Sequence, residues 1–323
     1  MDYREQKEKK SILKKEREIG CEEEIKIRPI VYLISGIIIG FMLSGILGFN
    51  ISDISKKTSA PNSQSPNSQD TSIIGENLPS FSESVVLPVK WGDIGKQMTE
   101  SGVIDAGELE KIYSQRGGLD EESKKLLYLA NNGNLVIDSK NSGLLLNLLW
   151  ALGLGNKNPI LENGPMQEKQ YGGAKNFAST GGWNLAKGNT MDHYSKHNFI
   201  NLSPGQQALV EKISKTIYRP CCSNSTYFPD CNHGMAMLGL LELMASQGKS
   251  EAEMYKTALI VNSYWFPDNY RNIAKFMAGQ GVQWANADPK EILGINYSSG
   301  QGYSDIVSKI QPVESSGGRG CGV

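Results

Sequence analysis

The sequence has no surplus of charge. Lys and Arg number 33 against 34 Asp and Glu, giving a formal net charge of -1 and a pI near 6.4. No basic stripe is available to neutralise phosphates, and nucleic acid is not expected as a partner. The chain also lacks the Gly-x4-Gly-Lys-Ser/Thr run of a phosphate-binding loop and the Gly-x-Ser-x-Gly turn of a hydrolase nucleophile. Motif-level support for either chemistry is therefore absent. Histidine is scarce at 3 residues, and cysteine numbers 5, so the placement of these few side chains carries information.

That placement is uneven. Cys221, Cys222, Cys231 and His233 fall within Arg219-Pro-Cys-Cys-Ser-Asn-Ser-Thr-Tyr-Phe-Pro-Asp-Cys-Asn-His233, while His193 and His197 lie just upstream and Cys321 lies in the tail. A clustered cysteine can be a small buried hydrophobe, half of a disulfide, a reactive thiol or a metal ligand. Adjacent Cα atoms sit about 3.8 Å apart, below the usual disulfide range of about 4.4–6.8 Å, so a Cys221–Cys222 bridge would be strained. With Cys321 as the fourth thiol, the two remaining connectivities both bridge Cys231 to one member of the vicinal pair and Cys321 to the other. Asp230 is expected to cap the following helix and to place Cys231 and His233 in its first turn, where the helix dipole favours a thiolate. The catalytic candidates are thus Cys221, Cys222, Cys231 and Cys321. The metal candidates are Cys221, Cys222, Cys231 and His233, with His193 and His197 as a second group that would share one face of a helix. Thiolate and imidazole suit zinc and copper alike.

Between Leu202 and about Tyr264 the chain resembles the small thiol-bearing subunit of the cytochrome c maturation haem-ligation system. The likeness runs through Arg219-Pro-Cys-Cys-Ser-Asn-Ser-Thr226, Asp230-Cys-Asn232, an apolar helix and Gln247-Gly-Lys-Ser-Glu-Ala-Glu-Met254. Cys222, Asn224 and Thr226 match the family's second cysteine and the polar positions after it. Arg219 stands where the family has its first cysteine, so a vicinal pair replaces Cys-x-x-Cys. The resemblance implies a membrane-anchored three-helix domain, thiol–disulfide exchange on a protein substrate bearing thiols, and haem as a further candidate cofactor.

Along the chain, residues 1–29 read as a charged cytoplasmic tail with no apolar stripe. Ile30–Phe49 carries no charged side chain and is long enough to cross a hydrocarbon core of about 30 Å as an uncleaved signal anchor. Lys14, Lys15, Arg17, Lys26 and Arg28 outnumber Lys56 and Lys57, which puts the N-terminus in the cytoplasm and the rest outside a single-pass cell membrane, with membrane lipid as a partner. Gly36, Gly40, Ser44 and Gly48 recur on one face, where a partner helix can pack. Residues 50–84 form a Ser/Asn/Gln/Pro linker too polar to bury a core.

The expected fold is mainly α, with an extracytoplasmic multi-helix body divided into a helical region over 85–201, a helical Cys/His domain over 202–310 and a flexible tail over 311–323. Helices are expected over Trp91–Ser101, Ala106–Gln115 and Glu121–Asn131, with Leu135–Ile137 as a short strand or an extended link. Leu144–Leu154, apolar almost all round, reads as a buried helix. The Gly-rich stretch Gly164–Gly188 reads as a lid or ligand loop in preference to a structural meander. Ser203 and Ser250 open capping boxes, and a three-helix bundle is expected to frame the Cys-Cys…Cys-x-His segment. The resulting reading is a membrane-anchored thiol–disulfide or soft-metal/haem-handling module. Its alternative is a non-catalytic tethered interaction domain with structural disulfides.

Overall fold

The computed structural model describes residues 78–312. The expected anchor, the face at Gly36, Gly40, Ser44 and Gly48, and Cys321 lie outside the described residues. Among the described residues no helix is long and apolar enough to cross a membrane.

The body is mainly helical with one small sheet, and its centre is a crossing of two helices that are apolar on every side. Helix α4 (Ser142–Gly155) and helix α9 (Asn232–Ser246) bury nearly all of their side chains. Gly153 and Gly239 sit at their crossing. A Cβ on Gly153 would run into the Met235 carbonyl, and one on Gly239 into the Leu149 carbonyl. Glycine here lets two backbones touch where any side chain would hold them apart.

Ahead of α4 come strand β1 (Val85–Gly92), α1 (Ile94–Ser101), α2 (Ala106–Ser114), α3 (Glu121–Tyr128) and strand β2 (Asn132–Ile137). The strands pair antiparallel, with Val85 opposite Ile137 and Gly92 opposite Asn132. The helix expected from Trp91 therefore starts three residues later. Leu87, Val89 and Trp91 are buried on alternate positions, a period-2 pattern that belongs to a strand. Pro88 is tolerated because only one side of β1 is strand-paired. At Lys90 the other side is closed by the Gln247 carboxamide, whose Oε1 accepts from the Lys90 N–H (2.8 Å) while its Nε2 donates to the Lys90 carbonyl (2.7 Å). The Leu135–Ile137 expectation resolves as the strand.

Between α4 and α8 (Pro204–Ser214) lie the short helices α5 (Pro159–Asn163), α6 (Ala178–Gly181) and α7 (Thr190–His193), with three 3-10 turns between Pro165 and Asn176. The Gly-rich stretch is anchored in the body: Met166, Ala174, Trp183 and Leu185 are buried in the common core. The Trp183 indole donates to the Val103 carbonyl (3.0 Å) and that of Trp150 to the Ser179 carbonyl (2.7 Å).

Helices α8, α9 and α10 (Glu251–Trp265) contact one another. Both capping boxes form, Ser203 with Gln206 and Ser250 with Glu253. Helix α11 (Pro267–Gly279) follows, then α12 (Pro289–Ile292), α13 (Ile295–Ser298) and α14 (Gly300–Val307). One hydrophobic cluster runs from Leu87 to Ile306, so residues on both sides of position 201 share a core.

Candidate metal and thiol centre

The segment between α8 and α9 leaves helix α8 and is tied down before it reaches the cysteines. The Tyr218 N–H donates to the Leu293 carbonyl (2.8 Å), and the Asn262 carboxamide donates to the Tyr218 carbonyl (3.1 Å). Thr226 returns to Ile217 through its backbone N–H (2.8 Å) and its hydroxyl (3.1 Å). Gly300, at the start of α14, donates to the Cys222 carbonyl (2.8 Å). A loop held at both ends and at its middle loses little further entropy when its side chains engage a ligand.

Its side chains converge. Cys221 Sγ lies 3.7 Å from Cys231 Sγ and 3.8 Å from His233 Nδ1, and Cys222 Sγ lies 3.8 Å from Cys231 Sγ. Cys221 is exposed, Cys222 and Cys231 are half-buried and His233 is buried. Two sets of three ligand atoms, each within 4.8 Å of one another, share Cys231: Cys221–Cys231–His233 and Cys222–Asp230–Cys231. Cys221, Cys222 and Cys231 form no disulfide with one another, so staples among them, and the expected bridge from Cys231 to one of the pair, are not present.

Helix α9 begins one residue later than expected. Cys231 itself is the N-cap and Asp230 precedes it. Asp230 instead pairs with Arg219, whose Nη2 lies 2.5 Å from Asp230 Oδ1, while Asn224 Nδ2 donates to Oδ2 (2.9 Å). Both oxygens are thus engaged within the protein, which leaves the set through Cys221, Cys231 and His233 as the better metal site, with Cys222 beside it.

Arg219 is the functional residue that sequence reasoning passed over. It is 1 % exposed, and each of its three nitrogens donates: Nε to Cys231 Sγ (3.0 Å), Nη1 to the Asn224 carbonyl (2.9 Å), and Nη2 to Asp230 and to the Phe228 carbonyl (3.2 Å). Gly234 leaves room for it, since a Cβ there would meet the guanidinium carbon at 2.5 Å. A glycine in the first turn of an otherwise apolar helix is the one sequence signal that pointed to this packing.

Hydrogen bonds from Cys221 and Cys222 hold the Cys231 thiol well below its ordinary range; Arg219 and His233 add to them, against the opposing effect of burial. For Cys222, a hydrogen bond with Cys221 pulls the thiol down. Its bond to Cys231 and its burial outweigh that pull, and it is pushed up to about 11. Burial raises the Asp230 carboxyl, limited by Arg219 and Asn224. The two sulfurs are thus pushed in opposite directions, Cys231 towards the thiolate and Cys222 towards the thiol. Phe266 and Trp265 wall the imidazole of His233, with ring centroids at 4.3 Å and 5.6 Å.

His193 and His197 come together elsewhere, and not on one helical face. Helix α7 ends at His193 and Ser195 has φ of 54°, so a turn stacks the two rings at 5.3 Å with His193 Nδ1 3.0 Å from His197 Nε2. The Lys187 carbonyl lies 2.9 Å from His193 Nε2 and can only accept, so that nitrogen carries a proton. Burial, then the neighbouring His193, lower the His197 imidazole. Neither histidine belongs to the two cysteine-containing ligand sets.

The fold and site define a mainly helical domain with a sulfur- and imidazole-bearing centre at the head of a buried helix. Comparison with protein-family models, curated proteins and solved structures found no match to this chain.

Proposed function

We propose that the protein is a membrane-anchored module that captures a soft metal ion, zinc or copper(I), on the outer side of the cell membrane through Cys221, Cys231 and His233, with Cys222 as a fourth donor. The observation that carries this reading is the spacing of the sulfurs. A zinc–thiolate bond of about 2.3 Å implies a tetrahedron edge of about 3.8 Å, and the centre presents sulfur separations of 3.7 Å and 3.8 Å. The donors are thiolate and imidazole, which suit both metals. The Arg219 N–H on Cys231 Sγ is the outer contact that orients a ligating sulfur and tempers its charge. The uncharged run Ile30–Phe49 supports anchorage, and the likeness of Leu202–Tyr264 to the haem-ligation subunit supports a place in metalloprotein or cytochrome maturation.

The test is metal content. The full chain, purified in detergent under reducing conditions and equilibrated with zinc or copper(I), is expected to retain about one equivalent after gel filtration, and Cys231→Ser to retain almost none. Retention of neither metal by the unsubstituted chain rules the reading out.

A further inference from the structure

We propose that the same centre also exchanges disulfides, with Cys221 forming the mixed disulfide, Cys231 resolving it and the resulting Cys221–Cys231 bridge expelling the metal. The inference rests on the metal reading for its last step and on the exposure gradient for the others. Cys221 is the exposed residue of the three cysteines, so an external disulfide reaches it first. Its chain neighbour Cys222 cannot resolve the adduct without strain, because adjacent Cα atoms are closer than a relaxed bridge requires. Cys231 Sγ, 3.7 Å away on a separate element, can. Cys222 is half-buried, with its sulfur 4.0 Å from both the Asn224 carbonyl and Asp230 Oδ1.

The steps balance. The Cys221 thiolate attacks R–S–S–R′, its sulfur bonds to RS, and R′S⁻ leaves and takes up a proton. The Cys231 thiolate then attacks Cys221 Sγ, the intramolecular S–S bond forms, and RS⁻ leaves. Two protein thiolates lose two electrons, the substrate disulfide gains them, and R′S⁻ and RS⁻ each take a proton from solvent to become two thiols. Each turnover removes two of the three primary metal donors, so metal occupancy and the bridged state exclude one another. Arg219, 3.0 Å from Cys231 Sγ, stabilises the anionic sulfur and not the bridge. It is a positioning residue that makes the bridged form the more easily reduced, as stabilised thiolates do in oxidising dithiol proteins.

The full chain in detergent, loaded with zinc, is equilibrated in glutathione buffers from fully reduced to mostly oxidised. Released zinc is read with a chromophoric chelator, and bridged peptides by mass spectrometry. The expected result is a Cys221–Cys231 peptide pair that accumulates in step with zinc release. In metal-free protein, Arg219→Lys and Arg219→Gln are expected to reach half-bridging in buffers about tenfold less oxidising. A Cys222–Cys231 or Cys221–Cys321 bridge, a persistent glutathione adduct on Cys221, zinc retained by bridged protein, or no Arg219 effect on the midpoint each overturns this inference and leaves the metal reading standing. Failure of zinc and copper(I) to bind overturns the metal reading and the expulsion step, while the metal-free arm still decides the exchange.

Discussion

The head and the middle of helix α9 treat buried charge in opposite ways. At its head, Cys231 and Asp230 share the guanidinium of Arg219, so each anionic group has a cationic donor within 3.0 Å. Three turns further along, Glu242 is fully buried and meets only neutral amides: Asn156 Nδ2 donates to one oxygen (2.9 Å) and Asn158 Nδ2 to the other, with Gln207 holding Asn158 in turn (3.1 Å). Burial pushes the Glu242 carboxyl up to about 8 against those two hydrogen bonds. Amide dipoles orient a buried carboxylate, but only an opposite charge keeps it ionised without a shift of this size. The thiol end is built to hold negative charge and the middle of the helix to give it up.

The largest expected effect comes from removing the cation. Arg219→Leu leaves Asp230 and Cys231 without their charged donor, and such losses destabilise by about 3–5 kcal/mol. Urea denaturation of the full chain in detergent should show it, and a loss below about 1 kcal/mol would erase the contrast between the head and the middle. Next is pH. The folded Glu242 carboxyl sits above its ordinary value of 4.5, so the folded state holds the proton more tightly than the unfolded one. The associated stability is complete below about pH 4.5 and is lost as pH rises through about 8. The Glu242 contribution to the unfolding free energy should shrink by a few kcal/mol between pH 5 and pH 9, read as the difference between the unsubstituted chain and Glu242→Gln, because Cys231, held below its ordinary range, contributes in the opposite sense. A difference that does not change with pH would mean that another group carries the dependence.

A third substitution probes the crossing that buries Glu242. Gly239→Ala drives a methyl into the Leu149 carbonyl, and overpacking of this kind costs about 1–3 kcal/mol, with metal content at the head of the helix expected to survive if head and middle are independent. The smallest effect serves as a reference far from both. Ser250→Ala removes a helix cap that accepts from the Glu253 N–H (3.3 Å), at about 1 kcal/mol, with no change in pH slope or metal content.

Much of the helical framework was legible because its signals are local. Ser203 and Ser250 announced their capping boxes, and the near-continuous apolarity of Leu144–Leu154, broken only by Asn147, announced a buried helix. The convergence of Cys221, Cys231 and His233 was legible as a cluster in sequence, although its distances were not. Strand β1 was missed because Pro88 falls inside the alternation of Leu87, Val89 and Trp91, and its partner strand begins 40 residues beyond Gly92. The anchoring of the Gly-rich stretch was not legible, because glycine content says nothing of where Trp183 will dock. Arg219 was overlooked as a site residue because nothing in Arg-Pro-Cys-Cys says that its side chain folds back beneath a helix that starts at residue 232.

By itself the sequence determined a mainly helical body, where its main helices begin, and the gathering of scarce sulfur and imidazole into one short segment, because caps, periodicity and composition act over a few residues. Only the tertiary structure decided that Arg219 would neutralise Cys231 and Asp230, that Glu242 would be left with amides, that His193 and His197 would stand apart from the thiols, and which cysteine would be exposed. Those outcomes depend on which groups burial brings within a few ångströms of one another, and on the dielectric in which they meet.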